Sequence, residues 1–246
     1  MIDYRLLPAG DTALTVEFGD RIDRQLSNLV LALARCLTEA KIVGVVECVP
    51  TFRSLTVYYD PLLLPYSVLS GRIAKLMQGL RAAEIAGRHW RLPVCYDESV
   101  APDLADVAAR TNLAPGQVIE RHSAPTYHVY MLGFLPGQPY MGDVANELAL
   151  PRRQSPRMKI PAGSLAIAMT MTCVFPSETP CGWHLIGRCP VPLWDVRNGG
   201  SAPLLRPGDK VGLMPVSLRE FERLFAKAAD GQPVATACDD VKDAAA

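Results

Sequence analysis

The chain has 246 residues, with 25 lysines and arginines balanced by 25 aspartates and glutamates, so its formal net charge is zero. An apolar fraction of 49% supplies a real core and excludes a disordered chain. The missing basic excess argues against a general binder of nucleic acid or anionic membrane. Little net repulsion separates copies of such a chain, which favours self-association or a standing partner. No apolar run approaches the roughly 18 residues that span a bilayer. The start, Met1-Ile2-Asp3-Tyr4-Arg5, lacks the basic and apolar regions of a signal peptide, so a cytoplasmic location is expected. The seven cysteines are an odd number in a chain too large to need staples, and read as free thiols.

Residues 12–18 alternate, with Leu14, Val16 and Phe18 on one face, and predict a strand. Asp23 is an N-cap for a helix to about Ala40, whose apolar positions Leu26, Leu29, Val30, Leu33 and Leu37 follow helical spacing. Short strands over 45–49 and 54–59 come next, then a helix over 66–82 and a strand over 88–94. The order β-α-β-β-α-β is that of the ferredoxin-like split βαβ unit. Helices are expected over 103–109, capped by Asp103, and over 116–122, followed by a strand over 127–132.

Proline then becomes dense. Of 21 prolines, 13 fall between Pro125 and Pro215, as do 10 of the 18 glycines. Strands expected over 164–168, 183–187 and 210–214, broken by these residues, suggest a closed barrel or sandwich. Ser217-Leu218-Arg219-Glu220 is a capping box opening a short helix, and the stretch from Ala229 reads as a frayed tail. The fold class is thus α+β, mostly β: an α/β domain over 1–90, a β-barrel domain over 91–228 and a flexible tail over 229–246.

Three segments could carry chemistry. The loop 133–142 has three glycines and two prolines, and can bring a polar group or a backbone N–H to a ligand at little ordering cost; Phe134, Gln138 and Tyr140 are its candidate side chains. Four cations, Arg152, Arg153, Arg157 and Lys159, stand within eight positions between prolines, suited to carboxylate or phosphate. They can equally form a solvated face. The third segment, 170–184, contains Cys173, Cys181 and His184, but no C-x-x-C, so no metal site is expected. A cysteine nucleophile paired with His184, His128 or His122 has no fixed geometry in the sequence. There is no phosphate loop and no dinucleotide fingerprint.

Several motifs occur together: Gly133-Phe134-Leu135-Pro136-Gly137, Pro151-Arg152, Pro156-Arg157, Ile160-Pro161-Ala162-Gly163-Ser164, Gly182-Trp183-His184-Leu185-Ile186-Gly187-Arg188 and Leu205-Arg206-Pro207-Gly208-Asp209. In this order they resemble the allophanate hydrolase subunit 1 family, also called the KipI family, over residues 3 to about 225. Its best-defined bacterial role is that of the B subunit of 5-oxoprolinase. The resemblance implies a ferredoxin-like domain followed by a cyclophilin-like barrel. It also implies a hydrolase complex that opens 5-oxo-L-proline to L-glutamate with ATP and magnesium. The implied partners are homologues of the 5-oxoprolinase C subunit, which is allophanate hydrolase subunit 2-like, and of the A subunit. The chain alone is expected to be inactive. Candidate substrate or nucleotide residues are Phe134, Gln138, Tyr140, Arg152, Arg157, Lys159, Ser164, Thr172, Trp183 and His184; no catalytic residue is singled out. Other members inhibit a sensor histidine kinase or belong to urea carboxylase and allophanate hydrolase systems, and these are the alternative functions. The chain departs from the family pattern at six places. Gln138 stands for a phenylalanine, Met169, Cys173 and Cys181 for glycines, Met171 for a glutamine and Phe175 for a tyrosine.

Overall fold

The computed structural model describes residues 2–82, 87–197 and 202–238. The chain divides into two compact units, residues 1–86 and 87–246.

The first unit runs β1 (Arg5–Pro8), β2 (Ala13–Glu17), α1 (Arg24–Ala40), β3 (Val45–Pro50), β4 (Ser54–Tyr59) and α2 (Tyr66–Gly79). The Asp23 carboxylate accepts from the Gln25 and Leu26 N–H groups at 2.8 and 3.1 Å, so α1 starts where its cap predicts. Leu14, Val16 and Phe18 are fully buried, together with Val30 and Leu33 of α1 and Ile73 of α2. The alternating strand and the helical stripe therefore meet in one core, as their periods require. The helix expected over 66–82 stops three residues early, at Gly79.

The sheet is antiparallel in the order β1-β2-β4-β3. This differs from the expected arrangement in its last strand. The segment expected over 88–94 does form a strand, β5 (His89–Cys95), but β5 belongs to the second unit. Its place beside β2 is taken by β1, which pairs from Arg5↔Glu17 to Pro8↔Leu14. β1 is largely exposed, so it shows no buried face for a period-two pattern to reveal.

The second unit continues with α3 (Leu104–Thr111), α4 (Pro115–Ser123), β6 (Thr126–Leu132), β7 (Pro139–Gly142), β8 (Arg157–Ile160), β9 (Ser164–Ala168), β10 (Met171–Val174), β11 (Thr179–Cys181) and β12 (His184–Arg188). It ends with β13 (Lys210–Val216), α5 (Leu218–Ala229) and β14 (Thr236–Cys238). Seven strands close a ring in the order β12-β9-β10-β7-β6-β13-β5, with β5 returning to β12 through the pair Arg188↔Cys95. β13 and β5 run parallel; the other neighbours in the ring are antiparallel. β8 and β11 pair separately as a two-stranded ribbon. The barrel expected from the punctuated strands is present. The expected tail is not wholly free, because Thr236–Cys238 pairs antiparallel with β5; residues 239–246 lie outside the described ones. No helix among the described residues is long and apolar enough to cross a membrane.

Two polar devices hold the barrel. The buried Asp209 carboxylate accepts from the Arg88 backbone N–H and guanidinium, the Trp90 indole and the Arg206 N–H, at 2.8–3.2 Å. The Arg-Pro-Gly-Asp motif therefore clamps the start of β5 to the start of β13. At the C-terminal end, Ser217 Oγ accepts from the Glu220 N–H at 3.2 Å as expected, while the Glu220 carboxylate pairs with Arg223.

Inside the barrel a cord of side chains runs from Tyr96 through His122 to Thr172. The Thr172 hydroxyl donates to the Ala166 carbonyl at 3.2 Å, so it accepts from His122 Nε2 at 3.0 Å. His122 Nδ1 is then bare and accepts the Tyr96 hydroxyl at 2.8 Å. Burial lowers the His122 pKa from 6.5 to about 3. Between those values the unfolded chain binds a proton that the folded chain refuses, so stability falls as pH drops below 6.5 and continues to fall to about 3. In urea-unfolding series at stepped pH, His122→Gln is expected to flatten this dependence by about 1.4 kcal/mol per pH unit between about pH 6 and pH 4.

Candidate functional site

Asp103 was expected to cap α3. It does stand before the helix, but its carboxylate makes no capping bond. It accepts instead from Arg157 through both terminal nitrogens at 2.8 and 2.6 Å, from Arg153 at 2.9 Å and from the Leu185 N–H at 2.7 Å. Burial raises its pKa. The Arg157 hydrogen bonds, the Leu185 N–H and the two guanidinium charges outweigh that and hold the carboxyl below 3.8. One buried carboxylate thus joins α3, the 151–157 segment and the start of β12.

Around this centre the cationic segment divides. Arg157 is committed to Asp103, and Lys159 forms an exposed pair with Glu178 at 2.9 Å. Arg152 lies 6.0 Å over the Trp183 ring. Of the three cations expected at a ligand, Arg152 alone lines the recess described next; Arg157 and Lys159 are drawn off by acidic partners the sequence reading did not assign to them.

That recess, of about 150 Å³, is walled by Phe134, Gln138, Tyr140, Arg152, Phe175 and Trp183, with Cys181 and Gly182 beside them. Five of the ten candidate residues meet here. Tyr140 and Phe175 both meet the Trp183 ring edge-on, at 6.0 and 6.5 Å. Burial, with Cys173 and Cys181 adding, raises the Tyr140 phenol above its ordinary 10, so it enters the recess as a neutral O–H. Burial also raises the Cys173 and Cys181 thiols, which opposes a nucleophilic role for either. Cys181 Sγ accepts from the Trp183 N–H at 3.2 Å.

The remaining candidates are elsewhere. Ser164 is buried, and its hydroxyl donates to the Pro161 carbonyl at 2.7 Å, closing a turn at Gly163. A side chain at Gly163 would meet the Cys189 carbonyl at 2.3 Å, so only glycine serves there. Thr172 belongs to the barrel cord. His184 is fully buried and faces a second, wider cleft of about 480 Å³ that shares Arg152 with the recess. The 133–142 loop is also shorter than expected. Residues 139–142 are β7, and the Gly133 and Gln138 N–H groups close the turn onto the Gln138 and Leu135 carbonyls. Those two N–H groups are therefore not offered to a ligand.

Sequence reasoning missed Asp103 as an ion centre, and it missed Arg110, whose spacing of four from Asp106 was its one local signal. Three buried side-chain atoms among the described residues lack a hydrogen-bond partner: Gln138 Oε1, Arg153 Nε and His184 Nδ1. All three residues line the recess or the cleft. Buried polar atoms are costly to leave unpaired, so their concentration marks a ligand surface.

A family model described as the carboxyltransferase domain, subdomain C and D, matches residues 4–204. The chain belongs to this carboxyltransferase-domain family. Within the family it is 38% identical to the 5-oxoprolinase B subunit of Bacillus subtilis (strain 168) over 232 residues, which covers 89% of this chain and 96% of that protein. It is 22% identical to the urea amidolyase of Lachancea kluyveri over 94% of this chain but only 14% of that protein. Among solved structures, the crystal structure of TTHA0988 superposes with a TM-score of 0.74 at 34% identity, over 83% of this chain and 40% of that one.

The departures from the family pattern cluster physically. Gln138 Nε2 lies 3.6 Å from Cys173 Sγ, both buried, and Phe175 and Cys181 line the same recess. A smaller side chain at 138 makes room for a larger one at 173. Met169 keeps a left-handed backbone, φ +52°, as the family glycine would.

Two outcomes test this layout by urea unfolding. Arg157→Ala is expected to cost about 3 kcal/mol because it removes two of the four hydrogen bonds to a buried carboxylate, while Arg152→Ala stays within about 0.5 kcal/mol. Gln138→Phe overpacks against Cys173, and adding Cys173→Gly to it is expected to recover about 1 kcal/mol or more in a double-mutant cycle.

Proposed function

We propose that this chain is the B subunit of a 5-oxoprolinase, a hydrolase that opens 5-oxo-L-proline to L-glutamate with ATP. The observation that carries the reading is the end-to-end match: the chain corresponds to 96% of a relative that is itself a 5-oxoprolinase B subunit, and to only 14% of a urea amidolyase.

The chemistry of the recess supports it. An unstrained lactam resists attack by water because amide resonance must be broken first. Transfer of the γ-phosphoryl group of ATP to its oxygen, with ADP leaving, makes the ring carbon electrophilic; water then adds to that carbon, the C–N bond opens and phosphate departs, and the negative charge of the first step grows on the phosphoryl and ADP oxygens. The recess is lined by Tyr140, whose phenol burial keeps neutral, by the Gln138 amide and by the Arg152 guanidinium, groups suited to a polar ligand. Its 150 Å³ is small for a nucleotide, which supports completion of the site by homologues of the C and A subunits. Magnesium would enter with the nucleotide and would supply charge neutralisation at its phosphates. The chain alone is then inactive, and a cytoplasmic complex is its setting.

The test is reconstitution with the C-subunit and A-subunit homologues, followed by an assay of glutamate release from 5-oxo-L-proline. The intact complex is expected to turn over only with ATP, and the chain alone not at all. Arg152→Ala is expected to lower kcat/KM about 100-fold. An intact complex that releases no glutamate sinks the proposal.

A further inference from the structure

The wider cleft beside the recess is walled by Asp106 and Arg110 of α3, by Arg152 and Arg153, and by His184. Its charge is unbalanced. Among its lining residues Arg110, Arg152 and Arg153 face one carboxylate, Asp106, in a chain whose total charge is zero. The Arg110–Asp106 pair, at 3.6 Å between half-exposed groups, is weak and leaves Arg110 able to turn to a ligand.

His184 adds a second, independent feature. Its side chain is wholly buried, and Nε2 lies 2.9 Å from the Pro151 carbonyl. A carbonyl can only accept, so Nε2 carries the hydrogen and Nδ1 of the neutral ring is a bare acceptor. Nδ1 has no hydrogen-bond partner. Asp106 Oδ2, 4.0 Å away, is itself an acceptor and cannot supply one to a neutral ring. The 3.5 Å approach of Arg110 Nη1 to Nε2 sets two donors against each other and is no bond.

The cleft therefore presents positive donors and, beside them, one buried acceptor. A phosphate monoester dianion fits the arginines but brings only acceptors to Nδ1. A carboxylate with an N–H on the adjacent carbon satisfies both. We propose that this cleft seats an α-carboxylate whose neighbouring nitrogen carries a hydrogen, as in a cyclic or N-acylated amino acid. Arg110 and Arg152 hold the carboxylate, and His184 Nδ1 accepts the N–H. Naming 5-oxo-L-proline as that ligand rests on the function proposed above, since its carboxylate and lactam N–H share one carbon. Arg110 is then a specificity residue, and Arg152 bridges the seat and the recess.

The experiment is calorimetric titration of the purified full-length chain with three probes: 5-oxo-L-proline, its lactone analogue 5-oxotetrahydrofuran-2-carboxylate, and inorganic pyrophosphate. The lactam is expected to bind about tenfold more tightly than the lactone, and Arg110→Gln to weaken both about tenfold. His184→Gln keeps a donor for the Pro151 carbonyl but loses the acceptor, so the lactam's advantage should vanish; should that variant not fold, the exposed Arg110→Gln carries the test. Lack of binding by all three probes at millimolar concentration, unchanged affinity in Arg110→Gln, or tighter binding of pyrophosphate than of the lactam overturns the seat. Turnover of the reconstituted complex reports separately. A complex that releases glutamate with an unchanged KM in Arg110→Gln rejects the seat and keeps the function. A chain that binds as expected in a complex that releases no glutamate keeps the seat and rejects the function.

Discussion

A single buried carboxylate organises the walls of the recess and the cleft. Taking Asp103 out of water is unfavourable, and the cost is offset because two guanidiniums and a backbone N–H converge on it. These partners come from two distant stretches of chain. Arg153 and Arg157 fix the cationic stretch, and the Leu185 N–H fixes the first residues of β12. The two side chains that matter most stand at that point: Trp183, just ahead of the strand, goes to the recess, and His184 goes to the cleft. Loosening Asp103 would therefore disturb the recess and the cleft at once, although it lines neither.

The barrel supplies the rigidity behind that arrangement. Its ring closes through one pair, Arg188↔Cys95, and is braced by the parallel β5–β13 contact and the Asp209 clamp. The Tyr96–His122–Thr172 cord crosses an otherwise apolar interior with each donor matched to an acceptor. A satisfied polar chain of this kind specifies one packing of the core. Among the described residues the unsatisfied atoms are confined to the recess and the cleft, where a ligand can complete them.

Much of this was legible in the sequence. Asp23 announced α1 to the residue, and the Gly- and Pro-punctuated strands announced the barrel, because both signals are local. Family motifs singled out Phe134, Arg152 and Trp183, the loop composition added Gln138 and Tyr140, and the fold brought all five into one recess. What stayed hidden is non-local. No pattern along the chain says that Asp103 will abandon a helix cap for arginines some fifty positions away. The same partner removes Arg157 from the binding surface. Ser164 and Thr172 were candidates alongside the family motifs, yet the hydroxyl of each is consumed by a carbonyl a few residues off. β1 was overlooked because an exposed edge strand carries little hydrophobic signal.

The substitution of β1 for β5 at the edge of the first sheet has a further meaning. Had the strand after α2 completed that sheet, the two units would have shared a segment, and neither could be cut free without losing a strand. As built, every strand of the first sheet ends by Tyr59, and the barrel keeps β5 for itself. Among the described residues no strand pairing crosses the boundary at residues 86 and 87. Each sheet is thus complete within its own stretch of sequence, with no strand lent from one unit to the other among the described residues.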